Sequence, residues 1–217
     1  MKRLTTIFLA AVLLMSIVNC LPFAVSADNP YDYEEDFEYR ITDDGAEVMG
    51  YYGEGGEVVI PSTLGGYPVT AIGRQAFFEC GGITSITFPE GVAKIGIDAF
   101  ADCTDLAELI VDERNPHYSV SGNCILEKET GALVAGCKTS VIPEGVTEIK
   151  SDAFYRCRGL TSVEIPASVR SIGTDAFGAC TSLVSMMVDE NNPNYYASGN
   201  CIIERRPACW SQDVKPV

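Results

Sequence analysis

Residues 160–166, LTSVEIP, place apolar side chains at alternate positions and then stop at a proline. That alternation predicts a half-buried strand, and Pro166 ends it because it has no N–H to offer a neighbouring strand. Downstream come Val169 and Ile172, then Gly173, Asp175-Ala176-Phe177 and Cys180. The same order recurs in "FPEGVAKIGIDAFADC" (88–103), in "IPEGVTEIKSDAFYRC" (142–157) and, more loosely, in "IPSTLGGYPVTAIGRQAFFEC" (60–80). Cys80 and Cys103 stand 23 residues apart, as do Cys157 and Cys180, whereas Cys103 and Cys157 stand 54 apart, one period plus an insertion of 31. A fixed period of this length predicts stacked coils, each too small to bury its own apolar face.

The slots of the period have physical readings. Gly96 and Gly173 allow a tight corner, and Asp98, Asp152 and Asp175 sit where a carboxylate can cap one helical turn. Ala99, Ala153 and Ala176 leave room for close approach of backbones, and Phe77, Phe100, Phe154 and Phe177 are expected to stack as an internal spine. The cysteine that follows each corner serves as a small buried hydrophobe. The expected fold is a mainly β repeat solenoid of about 23-residue coils with parallel strands and short helical turns. It carries a β-hairpin N-terminal cap over 37–57, where Phe37, Tyr39 and Ile41 alternate before an Asp-Asp-Gly turn.

A second repeat lies inside the first. "DERNPHYSVSGNCILE" (112–127) matches "DENNPNYYASGNCIIE" (189–204) at an offset of 77. Asn-Pro and Ser-Gly-Asn read as turns, and 123–127 with 132–135 as a hairpin around 128–131. The inserts therefore span 112–140 and 189–204 within a solenoid of 58–204. By the same offset, residues 205–217 should resemble 128–140, but they read "RRPACWSQDVKPV". Codons for Trp210 to Val217, read from one nucleotide earlier, can spell Leu-Val-Ala-Gly-Cys-Lys-Thr-Ser, which is residues 133–140. The tail is expected to be frame-shifted, and genomic DNA beyond the codon for Val217 decides this.

At "IPEGVTEIKSDAFYRCRGLTSVEIP" (142–166) the chain resembles the bacterial BspA-type leucine-rich repeat, and the likeness covers roughly residues 37–204. The resemblance implies a curved leucine-rich repeat solenoid. It also implies a secreted or cell-surface protein that binds other molecules, and the expected role is non-enzymatic, the binding of protein or glycan on host or bacterial surfaces.

Composition narrows the picture. "MKRLTTIFLAAVLLMSIVNCLPFAVSA" (1–27) has two early cations, an apolar run and a small-residue cleavage site, as a secretory signal peptide does. A retained membrane anchor is the rival reading, and the apolar run is short for one. With the leader gone, no stable membrane span is expected. Removal of Lys2 and Arg3 takes the formal charge from −15 to −17, which excludes nucleic acid as a natural partner. Residues 28–36 are acidic and expected to be disordered.

No candidate chemistry stands out. Nine cysteines suggest disulfides, but four of them mark the period, so free thiols are expected; Cys124 and Cys137 flank one hairpin and could pair. No C-x-x-C exists for zinc, and His117, the single histidine, falls in a turn beside Pro116. Asp112-Glu113 and Asp189-Glu190 are adjacent loop acids with, at most, weak Ca²⁺ affinity. No catalytic residue, metal or cofactor is assigned. What remains is surface: Ser85, Thr87, Glu108, Ile110, Ser162, Glu164, Ser185 and Met187 point outward from successive strands and form a candidate binding face. Tyr118, Tyr195 and Tyr196 on the inserts are further candidates. A hydrolase with a loop-borne site and a non-functional fragment of a longer surface protein are the alternatives.

Overall fold

A computed structural model describes residues 31–205, which hold eighteen strands and no helix. The N-terminal cap is an antiparallel array of β1 (Asp32–Glu34), β2 (Phe37–Thr42) and β3 (Gly45–Tyr51). Residues 32–34 thus depart from the expected disorder. Tyr33 packs against Tyr52 and donates to Glu38, and Glu34 accepts from the Gly65 N–H at 2.6 Å. A hairpin also sits at β5 (Thr63–Leu64) and β6 (Tyr67–Ile72), between β4 (Gly56–Val59) and β7 (Ile83–Phe88).

Two parallel faces run along the solenoid. On the first, β4, β7 and β9 (Glu108–Val111) pair in parallel, with Ser85 opposite Glu108 one period away. On the second, β3 pairs with β6, and β6 with β8 (Lys94–Ile95). The insert follows as β10 (Tyr118–Ser121), β11 (Cys124–Glu127) and β12 (Leu133–Gly136), a three-stranded meander where sequence suggested a two-stranded hairpin. β12 then passes in parallel to β13 (Glu148–Ile149) and β15 (Ser171–Ile172), while β14 (Ser162–Ile165) and β16 (Ser185–Val188) resume the first face. β17 (Tyr195–Ala197) and β18 (Ile202–Glu204) repeat the β10–β11 hairpin.

Alternation sets what is buried. In β14, Val163 and Ile165 are buried while Ser162 and Glu164 are exposed. Each such aliphatic side chain, fully buried, stabilises the fold by roughly 1.5–3 kcal/mol. The corners differ from expectation. They contain no helical turn, and Asp98, Asp152 and Asp175 have φ of 57°, 61° and 53°, outside the range of a helix cap. Each corner is instead a run of tight turns with two left-handed residues four apart, as at Asp98 and Asp102 or Asp175 and Ala179. What holds it is the ladder to the next coil: Gln75, Phe77 and Glu79 N–H donate to Ile97, Ala99 and Ala101 carbonyls at 2.9–3.1 Å. Gly96 and Gly173 serve proximity, not turning. Their φ values are ordinary, but a Cβ on Gly96 would lie 2.5 Å from the Arg74 nitrogen, and one on Gly173 2.3 Å from that of Ser151.

The expected single spine is two. Tyr51, Phe77 and Phe100 form one column, with centroids 5.7 and 5.9 Å apart. Phe154 and Phe177 form another, stacked at 5.1 Å and 14°. Between them the insert strand β12 replaces a corner, and Gly136 stands where a phenylalanine would: its N–H donates to Ala153 at 2.9 Å, the bond that Phe77 makes to Ala99. Phe154 lies directly on Gly136, so a Cβ there would meet its ring at 2.0 Å. The buried core divides at the same place. Lys150 occupies the glycine position of its corner because β12 offers no corner to collide with, and its ammonium reaches Glu127 at 2.9 Å.

Candidate functional face

The first parallel face presents two outward columns. In register lie Glu57, Ser85 and Glu108, and beside them Val59, Thr87 and Ile110. Past the insert, Ser162 pairs with Ser185 and Glu164 with Met187. Ser85 does not belong to the accessible face: it is 8% exposed, a short side chain on a central strand overshadowed by both neighbours. Four exposed apolar side chains form a broken strip along this side, Ile110 and Met187 as the sequence predicts, with Val59 and Val141 added by the structure. Val59, Ile110, Val141 and Met187 are 66%, 38%, 69% and 48% exposed. Val141 reaches the strip because its N–H donates to Gly122 O at 2.8 Å, which docks residues 139–142 between the two halves of the face. Shallow depressions flank the strip, one beside Ile110 and Tyr118 and one beside Val141, Glu164 and Met187.

The inserts are pinned by two residues that sequence reading took for simple turn formers. Asn115 is fully buried. Its Oδ1 accepts the N–H groups of His117 and Tyr118, both at 2.8 Å, and its Nδ2 donates to Pro89 and Val92 carbonyls at 3.2 and 2.8 Å. Asn192 repeats the arrangement with Asn194, Tyr195, Pro166 and Val169. The equal position of the two asparagines in both inserts was the available signal. Lys128 Nζ donates to Asn115 O at 2.6 Å, and Arg205, the first residue of the expected tail, takes that position against Asn192 O at 3.3 Å. The remaining tail lies outside the described residues, as does the leader.

The other candidates settle into structural roles. Tyr118 and Tyr195 are buried, and their hydroxyls bond Ala93 O and the Ile172 N–H; Tyr196 stays exposed beneath the Arg205 guanidinium. His117 is an exposed loop residue. The Asp112 carboxylate takes a bidentate bond from Arg114, which holds its pKa down to about 2, and Asp189 accepts from Asn191. No metal-holding cluster of His, Cys, Asp or Glu occurs among the described residues. The seven cysteines described, Cys124 and Cys137 among them, are free. Cys103 and Cys180 donate to the carbonyls of Phe77 and Phe154 in the preceding coil, both at 3.0 Å. Burial pushes the thiols of Cys103, Cys124 and Cys157 up, the last two to about 12, so these are inert hydrophobes rather than nucleophiles.

Stacked parallel coils of 23 residues, a ladder of aromatic corners and an exposed strand face define a leucine-rich-repeat solenoid. The description "BspA type Leucine rich repeat region" matches residues 57–125 and 134–202 in six copies, and the chain belongs to that family. Among solved structures it is similar to a leucine-rich cell surface protein of Faecalibacterium prausnitzii (22% identity, 83% of this chain and 60% of that one, TM-score 0.44). It is also similar to the leucine-rich repeat protein of T. pallidum (29%, 72% and 70%, TM-score 0.46) and to one from Bacteroides capillosus (25%, 74% and 99%, TM-score 0.41). The chain thus spans 60% of the length of the Faecalibacterium protein. No curated protein matches it. Among the described residues, no helix is long and apolar enough to cross a membrane.

Proposed function

We propose that this chain is a secreted or cell-surface recognition protein, without enzymatic activity, that binds protein or glycan through the outward side of its first parallel face. The observation that carries the reading is the broken strip of Val59, Ile110, Val141 and Met187, exposed apolar side chains interrupted by Thr87 and Glu164 and flanked by Glu57 and Glu108. A surface of hydrogen-bonded parallel strands presents such groups at little entropic cost, which favours an extended partner. The leader-like start of the chain and the family resemblance support secretion and adhesion. Glycan arrays and a panel of host-matrix and bacterial-surface proteins test it, with Ile110→Asp and Met187→Asp as probes. Binding lost in both variants, with an unchanged unfolding midpoint, is the expected result. Binding indifferent to both, or substrate turnover abolished by a loop substitution, overturns it.

A further inference from the structure

The break in the corner ladder leaves two rungs unfilled. In the uninterrupted corners every coil donates three N–H groups to the next: Gln75, Phe77 and Glu79 do so, as do Asp152, Phe154 and Arg156, whose acceptors are the carbonyls of Thr174, Ala176 and Gly178. In the coil of Phe100 only the third rung forms, from Asp102 N–H to Arg156 O at 3.4 Å. Asp98 N–H and Phe100 N–H have no acceptor among the described residues. Across from them, Ala153 O is taken by Gly136, but the carbonyls of Ser151 and Tyr155, which stand where Ile97 O and Ala101 O accept in an intact corner, receive nothing.

These groups line a half-open cleft of about 160 Å³ between the Phe100 and Phe154 coils. Donors on one wall and acceptors on the other reproduce the two edges between which a polypeptide segment pairs. The cleft is also anionic. Asp98 and Asp152 both line it, and Asp98 Oδ1 is buried with no hydrogen-bond partner. Desolvation, with Asp98 and Asp175 adding to it and Arg74 opposing it, raises the pKa of Asp152, so the balance of charge around that carboxylate is negative. Lys150, the cation in its lining, is held by Glu127.

We propose that this cleft binds a short segment of an extended, basic peptide. The main chain bridges the Asp98 and Phe100 N–H groups and the Ser151 carbonyl, and a lysine or arginine side chain meets Asp98 and Asp152. This site is separate from the strand face and does not depend on it.

The test is an NMR titration of the ¹⁵N-labelled chain with the blocked peptides acetyl-Val-Lys-Val-amide and acetyl-Val-Glu-Val-amide, and with a neutral chito-oligosaccharide. The lysine peptide is expected to shift the amide signals of Asp98 and Phe100, and the other two are not. The double variant Asp98→Asn/Asp152→Asn should weaken the lysine peptide at least about ten-fold. Asparagine tolerates the left-handed φ of both positions, so an unchanged near-ultraviolet spectrum shows that the fold is kept. Ile110→Asp should leave this binding unchanged, which separates failure of the cleft from failure of the face. Silent Asp98 and Phe100 signals, equal response to the glutamate peptide or the sugar, or shifts produced by raising the protein concentration alone each overturn the proposal, the last by assigning the cleft to a second copy of the chain.

Discussion

Asn115→Ala removes a buried amide that makes four hydrogen bonds to main-chain groups. Each such bond contributes about 0.5–1.5 kcal/mol net, and a buried group left unpaired costs about 1–3 kcal/mol. Water can reach some of the four orphaned groups, since His117 is exposed, so the loss should be about 3–5 kcal/mol rather than the full sum. Asn115→Asp sharpens the argument. Its carboxylate keeps the two acceptor roles but turns oxygen toward the Pro89 and Val92 carbonyls, where Nδ2 donated. It should be at least as destabilising as alanine at pH 7. Protonation restores one donor, so the folded-state pKa of the new carboxyl lies above its unfolded value, and the variant should recover relative to alanine as the pH falls toward 4. Urea unfolding followed by far-ultraviolet circular dichroism measures all three chains. A loss under about 1 kcal/mol for alanine, or an aspartate variant as stable as the parent at pH 7, would refute the assignment of Asn115 as the pin between insert and coil.

Gly136→Ala should cost about 2–3 kcal/mol or more, because its Cβ would sit 2.0 Å from the buried Phe154 ring, and Phe154→Ala in the same chain should make the substitution nearly neutral; thermal unfolding of the cycle reads this. Ala179→Gly should stabilise by about 1 kcal/mol, since Ala179 is exposed and held at φ 56°, and an unchanged or lower urea midpoint would contradict it. The buried thiols of Cys103, Cys124 and Cys157 favour their neutral form, so the stability they contribute is complete below the ordinary thiol value near 9 and is lost as the pH rises toward about 12; unfolding midpoints at pH 8 and pH 10.5 should differ in that sense. Alkylation mapped by mass spectrometry at neutral pH should label the exposed Cys201 well before Cys103 or Cys124.

The period was legible because every coil must bury the same column, so Phe, Ala and Cys recur at positions where only burial matters. The corner was not. An aspartate before Ala-Phe reads as a helix cap, and the second left-handed position holds Glu79, Asp102, Arg156 or Ala179, which share no local preference for that conformation. The ladder to the neighbouring coil imposes it, and a ladder is a property of pairs of coils that no single segment encodes. Asn115 escaped for a different reason: an asparagine before proline has the same letters whether it makes an exposed turn or a buried hub. The outward positions of β9 and β14 were legible from alternation alone; Ser85, shaded on a central strand, was not, nor was Val141, which belongs to no strand, nor Val59, which lies in the looser first copy of the repeat.

The departures from the repeat carry more information than the repeat. Lys150 breaks the glycine column and Gly136 breaks the phenylalanine column, and the two breaks share one cause. Where β12 passes without a corner, the coil above has room for a side chain and the coil below has nothing to pair with. Asp102, bridged to Arg156 and Arg158 at 2.5 and 2.6 Å, closes the far end of that gap and keeps the halves of the solenoid in register. The near end stays open, with its donors, acceptors and carboxylates turned inward. A regular array would have consumed those groups in its own ladder. An insertion of 31 residues therefore does more than lengthen a loop: it converts main-chain bonds that the Phe77 and Phe154 corners spend on stability into a surface able to recognise a partner.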